Sequence, residues 1–219
     1  MDRTDANVRR AVAAIGRGEM IVLVDDEDRE NEGDVVMAAE LATTTAVNFM
    51  ATHARGLICA AMDGARLAAL GIPPMTERNE DPLGTAFHVS VDHHTRTTGI
   101  SAVERARTIR ALADPRSVSG DFTRPGHVFP LAARDGGVLE RDGHTEASVE
   151  LCRMAGLTGA AVICEVMRPD GEMARYPDLV PFAERHGMVL ATIADLVDHR
   201  RRHATVDRRE PVGATVGGA

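Results

Sequence analysis

Between two apolar runs the chain carries Asp25-Asp-Glu-Asp-Arg-Glu-Asn-Glu-Gly-Asp34, seven carboxylates around one arginine, Arg29. Like charges in a block repel one another and are usually left to solvent. This block follows the strand-like run 21–24 and precedes the run 35–39, so its repulsion is held inside a fold. Three uses of such a stretch stay open beside a solvated charged turn: a bound cation, a cationic partner, or carboxylates for proton transfer. The calcium loop of an EF-hand is excluded by spacing, since Asp28-x-Glu30-x-Glu32-Gly33 places Ala39 where the bidentate Glu at position twelve is required. An open Mg²⁺ site fits better, because Mg²⁺ takes only one or two carboxylates beside its waters and substrate. In extended chain, Glu30, Glu32 and Asp34 project to one side, so one could hold metal while another moves a proton.

Other residues of the same chemical kind are scattered along the chain. Arg141-x-Gly143-His144-Thr145-Glu146 opens a predicted helix, where exposed N–H groups and the helix dipole favour an anion. His144 there is either a cap or a ligand. A second histidine, His127, also follows a glycine. Glu165 ends the apolar run 160–164, where burial would raise its pKa toward that of a general acid or base. Cys59 lies in an apolar strand without a nearby histidine and reads as packed core rather than as a nucleophile.

The elements that must position these groups read as follows. Apolar spacing predicts helices over 6–15 (capped by Asp5), 44–54 (ended by Gly56), 64–70, 101–113 (with the capping box Ser101-x-x-Glu104), 141–154, 178–186 (capped by Asp178) and from Ile193 onward. Strands are predicted at 20–24, 57–62, 86–92, 128–131, 160–166 and 188–192, with Pro130 arguing for an edge or a bulge. Residues 75–85 have neither period and read as a lid-like loop. Long loops interrupt the alternation of strands and helices, so the expected fold class is α+β, a single domain over 1–202 with a mixed sheet flanked by helices in three layers, followed by a disordered tail over 203–219. The 219 residues suffice for a sizeable core, and a formal charge of −8 leaves no basic footprint for nucleic acid. Three separated cysteines, no secretory leader and no long apolar run point to a reduced, cytoplasmic protein without a membrane span.

Taken together, the acidic stretch, Thr97-Thr-Gly-Ile-Ser101, Phe122-Thr-Arg-Pro-Gly-His-Val-Phe-Pro-Leu131, Gly143-His-Thr-Glu-Ala147 and Ile163-Cys-Glu165 closely resemble the 3,4-dihydroxy-2-butanone 4-phosphate synthases of riboflavin biosynthesis, in order and spacing from about residue 5 to about 202. The resemblance implies an α+β homodimer that converts ribulose 5-phosphate into 3,4-dihydroxy-2-butanone 4-phosphate and formate, a lyase reaction needing Mg²⁺ or Mn²⁺, two ions per site. It implies that Glu30 and His144 are the metal ligands. Arg29, Glu30, Asp34, Arg141, Gly143, His144, Thr145 and Glu165 would meet substrate, with Arg141 and Thr145 at its phosphate. His127 and Glu165 match positions essential for catalysis, and Glu32 and Asp34 would share the proton transfers; Cys59 matches a residue near the site. Glu104 stands where the family pattern has Asp. Many relatives continue into a GTP cyclohydrolase II domain, but all three cysteines of this chain lie in the synthase region and offer no zinc site for it. The rival reading is another metal-dependent sugar-phosphate lyase or isomerase; a metal- or phosphate-binding module without turnover is the non-enzymatic one.

Overall fold

The structure is a computed structural model and describes residues 3–207. In chain order its elements are α1 (Arg3–Gly16), β1 (Ile21–Val24), β2 (Gly33–Ala38), α2 (Thr44–Phe49), β3 (Cys59–Asp63), α3 (Gly64–Ala69), β4 (Val91–His93), α4 (Ala102–Ala113), β5 (Phe122–Ala133), α5 (His144–Met154), β6 (Ala161–Glu165), α6 (Tyr176–His186), β7 (Val189–Thr192) and α7 (Ile193–Asp207). The strands form one seven-stranded sheet, ordered β4-β5-β3-β6-β2-β1-β7. It is mixed: β3 runs parallel to β5 and β1 to β7, while the other pairs are antiparallel.

Central strands read as unbroken apolar runs because both of their faces are covered. Val22, Val24, Val35, Met37, Ala60, Met62, Val162 and Cys164 turn to the layer of α2, α3, α4 and α6. Their alternates, Ile21, Leu23, Val36, Ala38, Cys59, Ala61, Ala161 and Ile163, turn to α1, α5 and α7. Each fully buried Ile, Leu or Met contributes roughly 1.5–3 kcal/mol. That double core offsets the cost of placing carboxylates at the start of β2 and the end of β6. The α+β, three-layer expectation is met, and no described helix is long and apolar enough to cross a membrane.

Several boundaries differ from the sequence reading. Helix α1 begins at Arg3, so Asp5 is a helical residue and no cap; its Oδ1 lies 2.9 Å from His199 Nδ1 of α7. Helix α2 stops at Phe49 and widens into a π-helical turn, Met50–Ala54, which Arg55 closes in the left-handed region (φ 75°) ahead of Gly56. Of the strand expected over 86–92 only its end forms β4; Phe87 and His88 make isolated bridges to Leu131 and Pro74. Strand β5 is twelve residues long and lies inside the sheet, against the expectation of a short strand with an edge or a bulge at Pro130. Pro130 is tolerated there because its carbonyl accepts the His88 N–H and no donor is needed. The bulge falls instead at 124–127, since Val91 pairs with Val128 and the next residue, Asp92, with Thr123. Helix α6 starts at Tyr176; Asp178 lies in its first turn and accepts the Arg175 N–H at 3.0 Å. Helix α7 continues past His203 to Asp207, and the remainder of the expected tail lies outside the described residues. Loop 75–85 carries no helix or strand, as expected.

Candidate active site

The acidic stretch is the connection of the β1–β2 hairpin, and one of its own carboxylates braces it. Asp25 is 7% exposed. Its Oδ2 accepts Arg29 Nη1 at 2.7 Å and the Glu30 N–H at 3.1 Å, while Oδ1 accepts the Glu32 N–H at 2.8 Å. Repulsion is thereby turned into a rigid loop, with Arg29 neutralising Asp25 on one side and reaching Glu30 Oε2 at 3.1 Å on the other. From outside, Arg175 Nη1 donates to the carbonyls of Glu30 and Asn31 at 2.6 and 2.7 Å. Asp26, Glu27 and Asp28 face solvent.

Across from this loop, His144 is the first residue of α5. Its Nδ1 lies 3.5 Å from Glu30 Oε2 and its Nε2 4.0 Å from Asp34 Oδ1. Nε2 is buried and has no hydrogen-bond partner. Leaving such a group unsatisfied costs on the order of 1–3 kcal/mol, so the position is kept for something other than stability. Ligand atoms of Asp25, Glu30 and His144 lie within 4.8 Å of one another. Both oxygens of Asp25 already accept hydrogen bonds, so Glu30 and His144 are the more open members of this group; Asp5, His199 and His203 form a second such group elsewhere. Burial alone would push His144 down, yet the charges of Asp34, Glu30 and Asp25 outweigh it and raise the imidazole to about 9. The same imidazole, with Arg29, holds Glu30 below the usual carboxylate range.

Asp34, opposite Nε2, has a second carboxylate beside it. Asp34 and Glu165 are direct partners across β2 and β6. Burial pushes Asp34 up to about 7, offset by His144 and reinforced by Glu165, Glu30 and Glu32. Glu32 is raised as well, by burial first and then by Glu30. Glu165 Oε2 accepts the Leu57 N–H at 2.8 Å. Gly56 makes room for that contact, because a Cβ there would stand 2.5 Å from both the Oε2 and the carbonyl oxygen of Glu165. Cys59 is buried nearby, and burial together with the charges of Glu165 and Asp34 drives its thiol far above the ordinary value, so it is no nucleophile.

The start of α5 completes the arrangement. Gly143 supplies no side-chain cap, so the first N–H groups of the helix remain open for an anion. Arg141 lies beside it, held by Glu146 (Nη1 to Oε2, 2.6 Å) and tied to loop 75–85 through Leu83 O (3.1 Å) and Thr85 Oγ1 (3.2 Å). A Cβ on residue 143 would stand 2.2 Å from Arg141 Nη1.

A buried imidazole between carboxylates thus lies beside an open helix start. A profile of 3,4-dihydroxy-2-butanone 4-phosphate synthase matches residues 9–199. The chain belongs to that family. It is 56% identical over 197 residues to the 3,4-dihydroxy-2-butanone 4-phosphate synthase of Agrobacterium fabrum, covering 90% of this chain and 92% of that one. It is 55% identical to riboflavin biosynthesis protein RibBA of Aquifex aeolicus, over 91% of this chain and 50% of the relative, so it spans about half the length of that protein. Among solved structures, a 3,4-dihydroxy-2-butanone 4-phosphate synthase in complex with two magnesium ions superposes with a TM-score of 0.87 at 44% identity, over 90% of this chain and 97% of the other. The two-domain synthase RibBX of A. baumannii gives 0.86 at 48% identity, over 88% and 57%.

Within this synthase-family chain the residues singled out from the sequence fall into two groups. Arg29, Glu30, Glu32, Asp34, His144 and Glu165 gather at one end of β2 and β6, with Gly143, Thr145 and Arg141 at the helix start beside them. His127 stands apart: it ends the 124–127 bulge of β5, and among the described residues no hydrogen bond or ion pair links it to the first group. Its partner is Asp92, 2.8 Å from its Nδ1. Sequence reasoning missed Asp25 as brace, Gly56 as the space for Glu165, Glu146 behind Arg141, and Asp92. None of these left a usable signal; Asp92 falls out of phase with the alternation of Phe87, Val89 and Val91.

Proposed function

We propose that this protein is a cytosolic, homodimeric lyase that converts ribulose 5-phosphate into 3,4-dihydroxy-2-butanone 4-phosphate and formate with two Mg²⁺ or Mn²⁺ ions per site. The observation that carries the reading is the buried His144 imidazole, with its Nδ1 3.5 Å from Glu30 Oε2 and its unpartnered Nε2 4.0 Å from Asp34 Oδ1. Glu30 and His144 would hold the metal. A divalent ion bound there supplies Lewis-acid stabilisation for negative charge developing on adjacent substrate oxygens.

The chain's own residues supply the rest. The open N–H groups of α5, with Thr145 and Arg141, seat the phosphate; Arg141 links that seat to loop 75–85, which shields the reacting carbons from water. Removing a proton beside the C2 ketone, losing the C1 hydroxyl and releasing C4 as formate require groups that give and take protons in turn. Asp34, pushed up to about 7 by burial, is suited to giving and taking a proton near neutral pH. Glu32, raised in the same direction, is a second exchanger. Glu165, fixed by the Leu57 N–H, presents its carboxylate beside Asp34. His127 serves a further transfer.

The test is release of formate from ribulose 5-phosphate, which a simple isomerase does not produce. Formate is expected with Mg²⁺ or Mn²⁺ and is expected to disappear on chelation. Turnover without formate would overturn the reading. A Mn²⁺ titration counts the ions, and light scattering gives the oligomeric state.

A further inference from the structure

His127 is gripped twice by one carboxylate. Asp92 Oδ2 lies 2.8 Å from its Nδ1, and Asp92 Oδ1 accepts its backbone N–H at 2.9 Å. Asp92 belongs to β4 and is 1% exposed, whereas the His127 side chain is 42% exposed. A single buried side chain therefore fixes both the main chain and the ring of a residue that otherwise faces outward. A carboxylate only accepts hydrogen bonds, so Nδ1 carries the hydrogen and the lone pair is left on Nε2.

The surroundings enforce this pairing. Arg96 Nε lies 3.3 Å from Asp92 Oδ2 and donates to Thr123 Oγ1 at 3.1 Å. The turn 97–101 closes over the pair so tightly that a Cβ on Gly99 would stand 2.1 Å from Asp92 Oδ2 and 2.7 Å from His127 Nδ1. Glu104 holds that turn in place by accepting the N–H of Gly99 and the hydroxyl of Ser101, each at 3.0 Å. On the other side, a Cβ on Gly126 would collide with the backbone of Val91 and Asp92. Two glycines, one arginine and the turn under Glu104 thus converge on Asp92.

We infer that Asp92 is the positioning residue of His127: it selects the tautomer with Nε2 unprotonated and aims that nitrogen outward for proton transfer. When Nε2 takes a proton from substrate, the resulting imidazolium is stabilised by Asp92, and the proton returns from Nε2 in a later step with no other bond changed at the ring. The inference rests on the proposed role of His127 in the reaction.

The experiment combines formate release with ¹⁵N shifts of the His127 ring, on the full chain. His127→Gln is expected to lower kcat by roughly 10²–10⁴-fold. Asp92→Asn is expected to lower kcat by about 10- to 100-fold, the range for a partner that orients an imidazole from behind, with KM nearly unchanged and the ring hydrogen moved toward Nε2. Asp92→Glu keeps the charge, guards against misfolding of the Asn variant, and retains the parent tautomer and most of the rate. Parent-like kcat and ring shifts in Asp92→Asn overturn the positioning role. So does a folded Asp92→Glu that is as slow as His127→Gln. Full activity in His127→Gln instead removes His127 from the reaction, a separate failure that the ring shifts of Asp92→Asn do not mask.

Discussion

His127 and His144 both follow a glycine, and the fold treats them in opposite ways. His144 is buried at a helix start among carboxylates, with Nε2 left without a partner. His127 is half exposed on a bulge, with Nδ1 and the backbone both anchored by one buried aspartate. An imidazole meant for a cation needs anions around it and an empty coordination direction. An imidazole meant for proton transfer needs one nitrogen fixed and the other free. Residue type and the preceding glycine are the same in both cases, so the neighbours decide the role.

The largest expected effect breaks the first half of that comparison. Glu30→Ala and His144→Ala should each lower formate release by more than the ~10–100-fold loss typical of supporting residues, and should abolish Mn²⁺ binding in a paramagnetic titration. Retained binding in either variant would remove the ligand pair. His127→Gln sharpens the contrast, since it should lose activity while Mn²⁺ affinity stays at the parent value; a matching loss of affinity would merge the two histidines into one site. A smaller effect is expected for Gly56→Ala, whose methyl meets Glu165 Oε2 and O at 2.5 Å. Overpacking of this kind costs about 1–3 kcal/mol, read as a lowered melting temperature together with reduced kcat; an unchanged melting temperature and kcat would show that Glu165 is not held there. The smallest concerns the turn over His127. Hydrogen bonds from the Thr97 N–H and hydroxyl, then from Ser101 and Gly99, lower the Glu104 carboxyl to about 2. A depressed carboxylate stabilises the fold fully above its ordinary value of about 4.3 and loses that contribution as pH falls toward 2. The melting difference between parent and Glu104→Gln should therefore be greatest near neutrality and vanish at the acid end. A difference independent of pH would contradict the assignment.

The sequence was most readable where local chemistry and pattern agree. The runs 21–24 and 160–166, the box Ser101-x-x-Glu104 and the stop at Gly156 became β1, β6, α4 and the end of α5 because propensity, capping and burial point the same way. The alternation of Glu30, Glu32 and Asp34 singled out carboxylates that the fold brings close to one another. Its first half hid Asp25, because a buried brace and a solvated carboxylate look alike until backbone N–H groups are seen to converge on one of them. The extent of β5 was misread because Pro130 suggests an edge or a bulge, whereas the neighbouring chain needs only its carbonyl and the bulge falls at 124–127. Asp92 and Gly56 act on His127 and Glu165 from distant parts of the chain, and no spacing rule reports a contact of that kind.

The hairpin that carries the acidic loop has a consequence for how the molecule is assembled. Val24 and Gly33 face each other across it, so the Asp25 brace closes from contacts local in sequence and can form early in folding. His144 and Glu165 arrive from far along the chain, once α5 and β6 have docked. An early hairpin therefore presents carboxylates without their imidazole. Under the proposed ligand pair, tight capture of a divalent ion becomes a late event, and its appearance during refolding is a clock for completion of the sheet.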